Sequence, residues 1–315
     1  MSVENNKCVQ WLLESEHPSI RLLTKIKILN QTPHERDIKA LTAEHSPIWE
    51  IMNQLKENKY WMHEKHFYSP KFFSSHWSLL MLHEYACPAD YPRLQAACLH
   101  LLEKSHTKWL LPVQQKNNND HELACFFANV LRYAYAFELG EHPHTQAILK
   151  FLSQDKSGKQ WCCKHNQHMP CLWGAIRTLW AYGLIPQQDR SMQVQQSIQS
   201  ALDMILNCAE MLTSTSRSPS PKEHTLWKKT GFPLYYQADR LFTLRVLQEH
   251  KQLNHEKLQP VLLWLQSRRR KNGHWRGSNP YRTRSWPYGI ESEEIDRWVS
   301  LHSLSVLMDA GLESL

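Results

Sequence analysis

Glycine is scarce in this chain, with nine in 315 residues against thirteen Trp, eleven Tyr and nine Phe. An all-β fold needs far more turn glycine, so the balance favours bulky side chains packed between helices. Long apolar runs are missing too. No stretch approaches the roughly 18 apolar residues of a membrane span, and no apolar signal core follows Met1, which points to a cytoplasmic protein without a transmembrane segment. No nucleic-acid motif accompanies the one basic run, Arg268 to Lys271. The formal charge of +7 therefore reads as a general attraction to anionic partners, and no nucleic acid is expected. In a reducing compartment the eight Cys are buried thiols, metal ligands or a reactive thiol rather than a disulfide framework.

What is present is a repeat. Trp61, Trp109, Trp161, Trp227 and Trp275 follow one another at steps of 48, 52, 66 and 48 residues, and all but Trp227 come just after an apolar amphipathic stretch. The long step contains a Ser/Thr/Pro-rich segment from Thr213 to Pro221, which reads as a loop inserted over 213–230. Phe151 to Trp161 and Trp264 to Trp275 are closely similar copies, each with a glycine that lets the chain turn before the indole packs back.

Two kinds of segment alternate through the repeats. Trp77–Ala86, Leu123–Phe137, Leu172–Leu184, Tyr235–Leu247 and Arg297–Ala310 are apolar on most faces and read as helices buried on both sides. Pro92–Lys104, Pro143–Leu152, Met192–Met211 and Glu256–Ser267 alternate charged and apolar residues at helical spacing and read as their outer partners. The expectation is an all-α chain, one α/α toroid over 1–315, built from about five to six helical hairpins in inner and outer rings. Residues 1–60 supply a cap or first repeats, through Val9–Glu14, Pro18–Asn30 and a stretch from Arg36 to Glu57. A loop over 277–290 is expected to reach across the mouth.

Certain residues resemble the prenyltransferase and squalene-cyclase repeat superfamily, above all its small bacterial members of unassigned activity. The resemblance rests on Trp11-Leu12-Leu13-Glu14 with Pro18-Ser19-Ile20-Arg21, on Gly231 through Asp239, on Asn272-Gly273-His274-Trp275, and on Arg297 through Leu301. It implies an α/α barrel with a central pocket. The Asp-rich protonating motif of the cyclases and the Asp-x-Cys zinc pair of the prenyltransferases do not occur here, so it implies a fold and not a reaction.

In such a barrel the starts of the inner helices converge on one rim, bringing together His76, His121, Cys125, Cys171, Trp173, Tyr236, Asp239, Arg240, Arg297, Trp298 and His302. Asp239 is the candidate catalytic acid, if burial raises its pKa; a structural ion pair or a metal-ligand role are the alternatives. Cys171 is a candidate reactive thiol, because a helix N-terminus lowers a thiol pKa. Trp173, Tyr235, Tyr236 and Trp298 would line a cavity for an apolar, isoprenoid-like ligand, with Arg240, Arg297, His302 and His121 beside it. Cys162, His165, His168 and Cys171 stand at three-residue steps and offer a tetrahedral zinc set by ligand type, the alternative being a His-rich loop. Two further functional readings stay open: a non-catalytic scaffold for a protein or peptide partner, and zinc-dependent thiol chemistry.

Overall fold

Prolines and short polar side chains set where the helices begin. The computed structural model describes residues 6–115, 123–154, 160–208 and 225–314, and almost all regular structure in them is helical. Asn6 caps α1 (Lys7–Leu13) by accepting from the amides of Cys8 and Val9. The His17 imidazole caps α2 (Pro18–Lys27), with Pro18 at a position whose amide would have no helical partner. The stretch expected as one unit from Arg36 to Glu57 is two helices, α3 (Glu35–Leu41) and α4 (Pro47–Asn53). The Ser46 hydroxyl and Pro47 restart the helix there.

The apolar segments form α5 (Ser75–Glu84), α8 (Ala124–Ala136), α10 (Leu172–Tyr182), α12 (Arg240–Glu249) and α14 (Ser292–Asp309). Their partners are α6 (Leu94–Ser105), α9 (Pro143–Ser153), α11 (Met192–Asn207) and α13 (Gln259–Ser267). A π-helical turn, His106–Leu110, carries α6 on into α7 (Leu111–Gln115). A small hairpin, β1 (Cys162–Cys163) and β2 (Met169–Pro170), precedes α10. Packing runs in order: α5 on α8, α8 on α10, α10 on α12, α12 on α14, α14 on α2. Ser19 at the start of α2 then donates to the carbonyl of Tyr85, just past α5.

Two boundaries differ from expectation. α12 begins at Arg240 rather than Tyr235, because Asp239 caps it and 231–239 is irregular. α14 begins at Ser292, five residues before Arg297, with Glu293 and Glu294 in its first turn where carboxylates suit the positive end of the helix. Arg297, Trp298 and His302 therefore sit in its second and third turns rather than at a helix start.

The core is continuous across these helices and includes the fully buried Trp61, Trp77, Trp180, Trp275 and Trp298. The repeat is real at atomic level for two tryptophans. Trp61 Nε1 donates to the Ile51 carbonyl (2.7 Å) and Trp275 Nε1 to the Leu265 carbonyl (2.8 Å), each ten residues back. Their own amides donate to Ser75 Oγ (3.1 Å) and Ser300 Oγ (2.9 Å) on the following helix. Trp161 differs from both, since its indole donates to Ser200 Oγ on α11. Of the inserted loop, only 225–230 lies among the described residues.

Candidate functional site

The segment 231–239 runs through the space between α5, α8, α10 and α14. Phe232 stacks on Trp298 of α14 with ring centroids 4.3 Å apart. Tyr235 stacks on Phe72 (4.8 Å) and meets Trp77 of α5 edge-on. The main chain is held from two more helices: Asn129 Nδ2 of α8 donates to the Tyr235 carbonyl (2.8 Å), and Arg177 Nε of α10 donates to the Gln237 carbonyl (3.2 Å). The gap between Leu80, Met81, Glu84, Pro233, Leu234 and Tyr235 is too narrow to admit a water molecule. The loop over 277–290 joins this packing, with Tyr281 on Phe72 and Trp286 Nε1 donating to Ser78 Oγ of α5 (2.9 Å).

Asp239 ends that segment and is 1% exposed. Its Oδ1 accepts from the Phe242 amide (2.7 Å) and its Oδ2 from the Gly231 amide (2.6 Å). Burial drives its pKa from 3.8 up to about 7, while those two amides pull the other way. The raised pKa is what an acid catalyst needs, but both oxygens are engaged by the main chain. The expected ion-pair partners are elsewhere: Arg297 is bound by Glu294 and by Glu293 (2.9 Å), and Arg240 lies over the Trp264 ring (4.5 Å).

Toward the C-terminal ends of the same helices the interior becomes polar. Arg132 of α8 makes a bidentate pair with Glu249 of α12 (2.7 and 2.9 Å) and donates from Nε to His83 Nε2 (3.0 Å), so that imidazole must accept there. Arg245 pairs with Glu84 (2.8 Å). Arg177, stacked 3.9 Å from the Phe242 ring, is fully buried, and burial lowers its pKa to about 9. His302 faces this group from α14; burial and the nearby Arg245 hold its pKa well below the usual imidazole value.

The Cys/His segment folds as the β-hairpin. Its register pairs Cys162 with Pro170 and Cys163 with Met169. Side chains alternate along a strand, so Cys162 and Cys171 point to opposite faces. His165 and His168 are exposed, and no three His, Cys, Asp or Glu among the described residues are grouped to hold a metal ion. The hairpin instead turns Cys163 and Cys171 toward Cys125 of α8, close enough for their charges to bear on it. Burial pushes the Cys125 thiol up to about 12. Burial also raises Cys171, and the Gly174 and Trp173 amides at the start of α10 only partly offset it. The expected helix-end activation of Cys171 is thus outweighed by desolvation.

Half-buried aromatics cover this end of the helices. Tyr236 meets Trp173 (6.2 Å) and Trp77 (6.1 Å), and Lys71 Nζ lies 5.3 Å from the Tyr236 ring. Tyr235, fully buried, borders this group through Trp77, whereas Trp298 is buried in the packing already described. His121 lies outside the described residues.

Two charged pockets, unforeseen in the sequence, flank the first turns of α14. One, of about 660 Å³, is lined by Lys229, Arg268, Arg270 and Arg276. The other, of about 460 Å³, is acidic and lies between α14 and the loop joining α1 to α2. Asp296 stands between them on α14, accepting from the Gly277 amide (2.6 Å). Only the Arg268–Lys271 run hinted at the first pocket; the second draws on residues from three distant stretches of chain, 14–17, 45–50 and 288–297. No helix of the described residues is long and apolar enough to cross a membrane. Comparison with known proteins finds no matching family model, no similar curated protein and no similar solved structure.

Proposed function

We propose that the helices close into an α/α toroid whose hollow is filled by its own 231–239 segment, and that the protein is a binding scaffold for a protein or peptide partner. The order of packing from α5 round to α14, α2 and back to Tyr85 supports a closed ring. The observation that carries the reading is the plug itself. Aromatics that would have lined a ligand cavity are spent on Phe232 and Tyr235, and Asn129 and Arg177 are spent on the main chain of that segment. Asp239 serves as a cap, Cys171 is desolvated, and the Cys/His quartet is split across two faces, which leaves surface recognition as the reading with the most geometry behind it.

A photoreactive amino acid in place of Glu16, beside the acidic pocket, tests this in living cells. A discrete adduct of protein mass is expected there, and none from the same residue at Leu263, an exposed control position on α13. Saturable one-to-one binding of a fifteen-carbon isoprenoid alcohol that quenches tryptophan fluorescence, with no adduct at position 16, overturns the scaffold reading.

A further inference from the structure

The basic pocket gathers cations that the packing leaves uncompensated. Lys229, Arg268, Arg270 and Arg276 line it and no carboxylate does. Arg270 alone is answered, by Asp296 at 3.4 Å. Lys229, Arg268 and Arg276 are exposed and have no ion-pair partner among the described residues. Arg268 lies 5.9 Å from the Trp264 ring, a contact that uses none of its hydrogen-bond donors. Arg269, inside the same basic run, is by contrast occupied: it pairs with Glu313 (2.9 Å), and its Nε donates to the Gly273 carbonyl (3.0 Å). Three like charges turned into one cavity repel one another and concentrate anions there.

Helix capping does not account for this convergence. Arginines often meet the last carbonyls of a helix, but those at the end of α13 already have partners. Ser267 Oγ donates to the Trp264 carbonyl (2.8 Å), and the amides of Arg268 and Arg269 donate to the carbonyls of Leu265 (3.2 Å) and Gln266 (3.0 Å). Lys229 and Arg276 belong to other stretches of chain and are placed beside that helix end by the main chain. The Ser278 amide donates to the Thr230 carbonyl (2.9 Å), the Phe232 amide to the Ser278 carbonyl (3.0 Å), and Thr230 Oγ1 to the Arg276 carbonyl (2.8 Å). The walls are therefore pre-organised around about 660 Å³, a volume in the range of small-ligand sites.

Charge and oxygen count decide which anion suits three accessible cations. A carboxylate or a phosphate diester brings one charge and two free oxygens. A phosphate monoester brings close to two charges and three terminal oxygens, and guanidinium forks pair with such oxygens two at a time. We infer that this pocket binds a phosphate monoester, with the Arg268 and Arg276 guanidiniums and the Lys229 ammonium on its terminal oxygens. Arginine clusters read phosphorylated groups in this way. The site goes beyond the scaffold reading and stands whether or not a partner docks at the acidic pocket.

The test is phosphorus NMR of the intact chain at low salt and about pH 8, where a monoester is a dianion. Inorganic phosphate is the probe, and dimethyl phosphate, a diester with two free oxygens, is the comparison. Phosphate is expected to bind one to one, about tenfold more tightly than the diester, and more weakly as salt rises. Lys229→Gln with Arg276→Gln should weaken phosphate about tenfold; both side chains are exposed and unpaired, and circular dichroism checks that the variant folds. Lys59→Gln with Lys65→Gln removes the same charge from exposed positions outside the pocket and should change the affinity by less than about twofold. Competition by an end-blocked phosphoserine peptide and by a hexose phosphate separates the sources: the tighter competitor shows whether the monoester comes from a phosphorylated protein or from a metabolite. A diester that binds as tightly as phosphate would mean that the pocket reads charge alone, and the inference would be wrong. It also fails if the two double variants weaken phosphate equally, since the net charge of the chain would then be the attraction.

Discussion

Replacing Asp239 by Asn should remove one specific pH dependence from the protein's stability. The carboxylate titrates near 3.8 when unfolded and near 7 when folded, so between those values the folded state holds more protons than the unfolded one. The stability this contributes is fully present below pH 3.8 and is lost as the pH rises through 7. Between pH 5.5 and pH 8 the loss is about 2 kcal/mol, or roughly 4 °C in Tm for a chain of this size. In Asp239→Asn the amide oxygen can still accept from Phe242, while its NH₂ group faces the Gly231 amide and that bond is lost, costing about 1–3 kcal/mol. Wild type should therefore be more stable than the variant at pH 5.5, with the gap narrowing by about 4 °C at pH 8. Differential scanning calorimetry of both proteins at the two pH values measures this, and every other titrating group cancels in the difference. A gap that stays constant would mean that Asp239 ionises normally, and the account of a desolvated cap would be wrong. Asp239→Ser, which caps without charge, should follow Asp239→Asn in its pH profile.

Acid should unfold the protein through its buried imidazoles. Burial lowers His17 and His76 to about 3, so their stabilisation is present above pH 6.5 and is lost as pH falls toward 3, about 2 kcal/mol each at pH 5. The helical circular dichroism signal should disappear in that window, and His76→Gln should move the midpoint to lower pH; an unmoved midpoint refutes the assignment. Glu84→Gln leaves Arg245 without its carboxylate in a largely buried site and should cost about 3 kcal/mol in urea denaturation, whereas Glu84→Leu with Arg245→Met should recover most of it. Equal stability of the single and double variants would show that the pair is solvated. Trp275→Phe keeps the ring but strands the Leu265 carbonyl, for an expected loss of about 1–3 kcal/mol, and Trp61→Phe should match it if the two repeats are equivalent.

The buried helices were legible because α5, α8 and α10 are apolar around most of their circumference, a pattern that does not depend on context. The start of α14 was not, since its first turn, Ser292-Glu293-Glu294, looks like loop until the helix dipole is considered. The break between α3 and α4 is signalled by Ser46 and Pro47, a cap followed by a helix-starting proline. The harder failure concerns Gly231 to Asp239. An aromatic run that fills a hollow and one that lines it have the same composition, and only the partners of Tyr235 and Gln237 separate them. Three-residue spacing likewise suggested a ligand set at Cys162, His165, His168 and Cys171, but a hairpin alternates its side chains and the register divided the two outer thiols. The acidic pocket was invisible because no single stretch of sequence carries more than two or three of its glutamates.

The plug also dictates an order of events. Asn129 and Arg177 bind carbonyls 106 and 60 residues further along the chain, so α5, α8 and α10 leave the ribosome well before the segment that completes them. Until residue 237 has been made, the helices built so far expose an amide and a guanidinium among apolar surfaces, and the closure entropy of long loops delays their satisfaction. Two polar groups buried by the earlier helices therefore find their partners only once the last third of the chain is present.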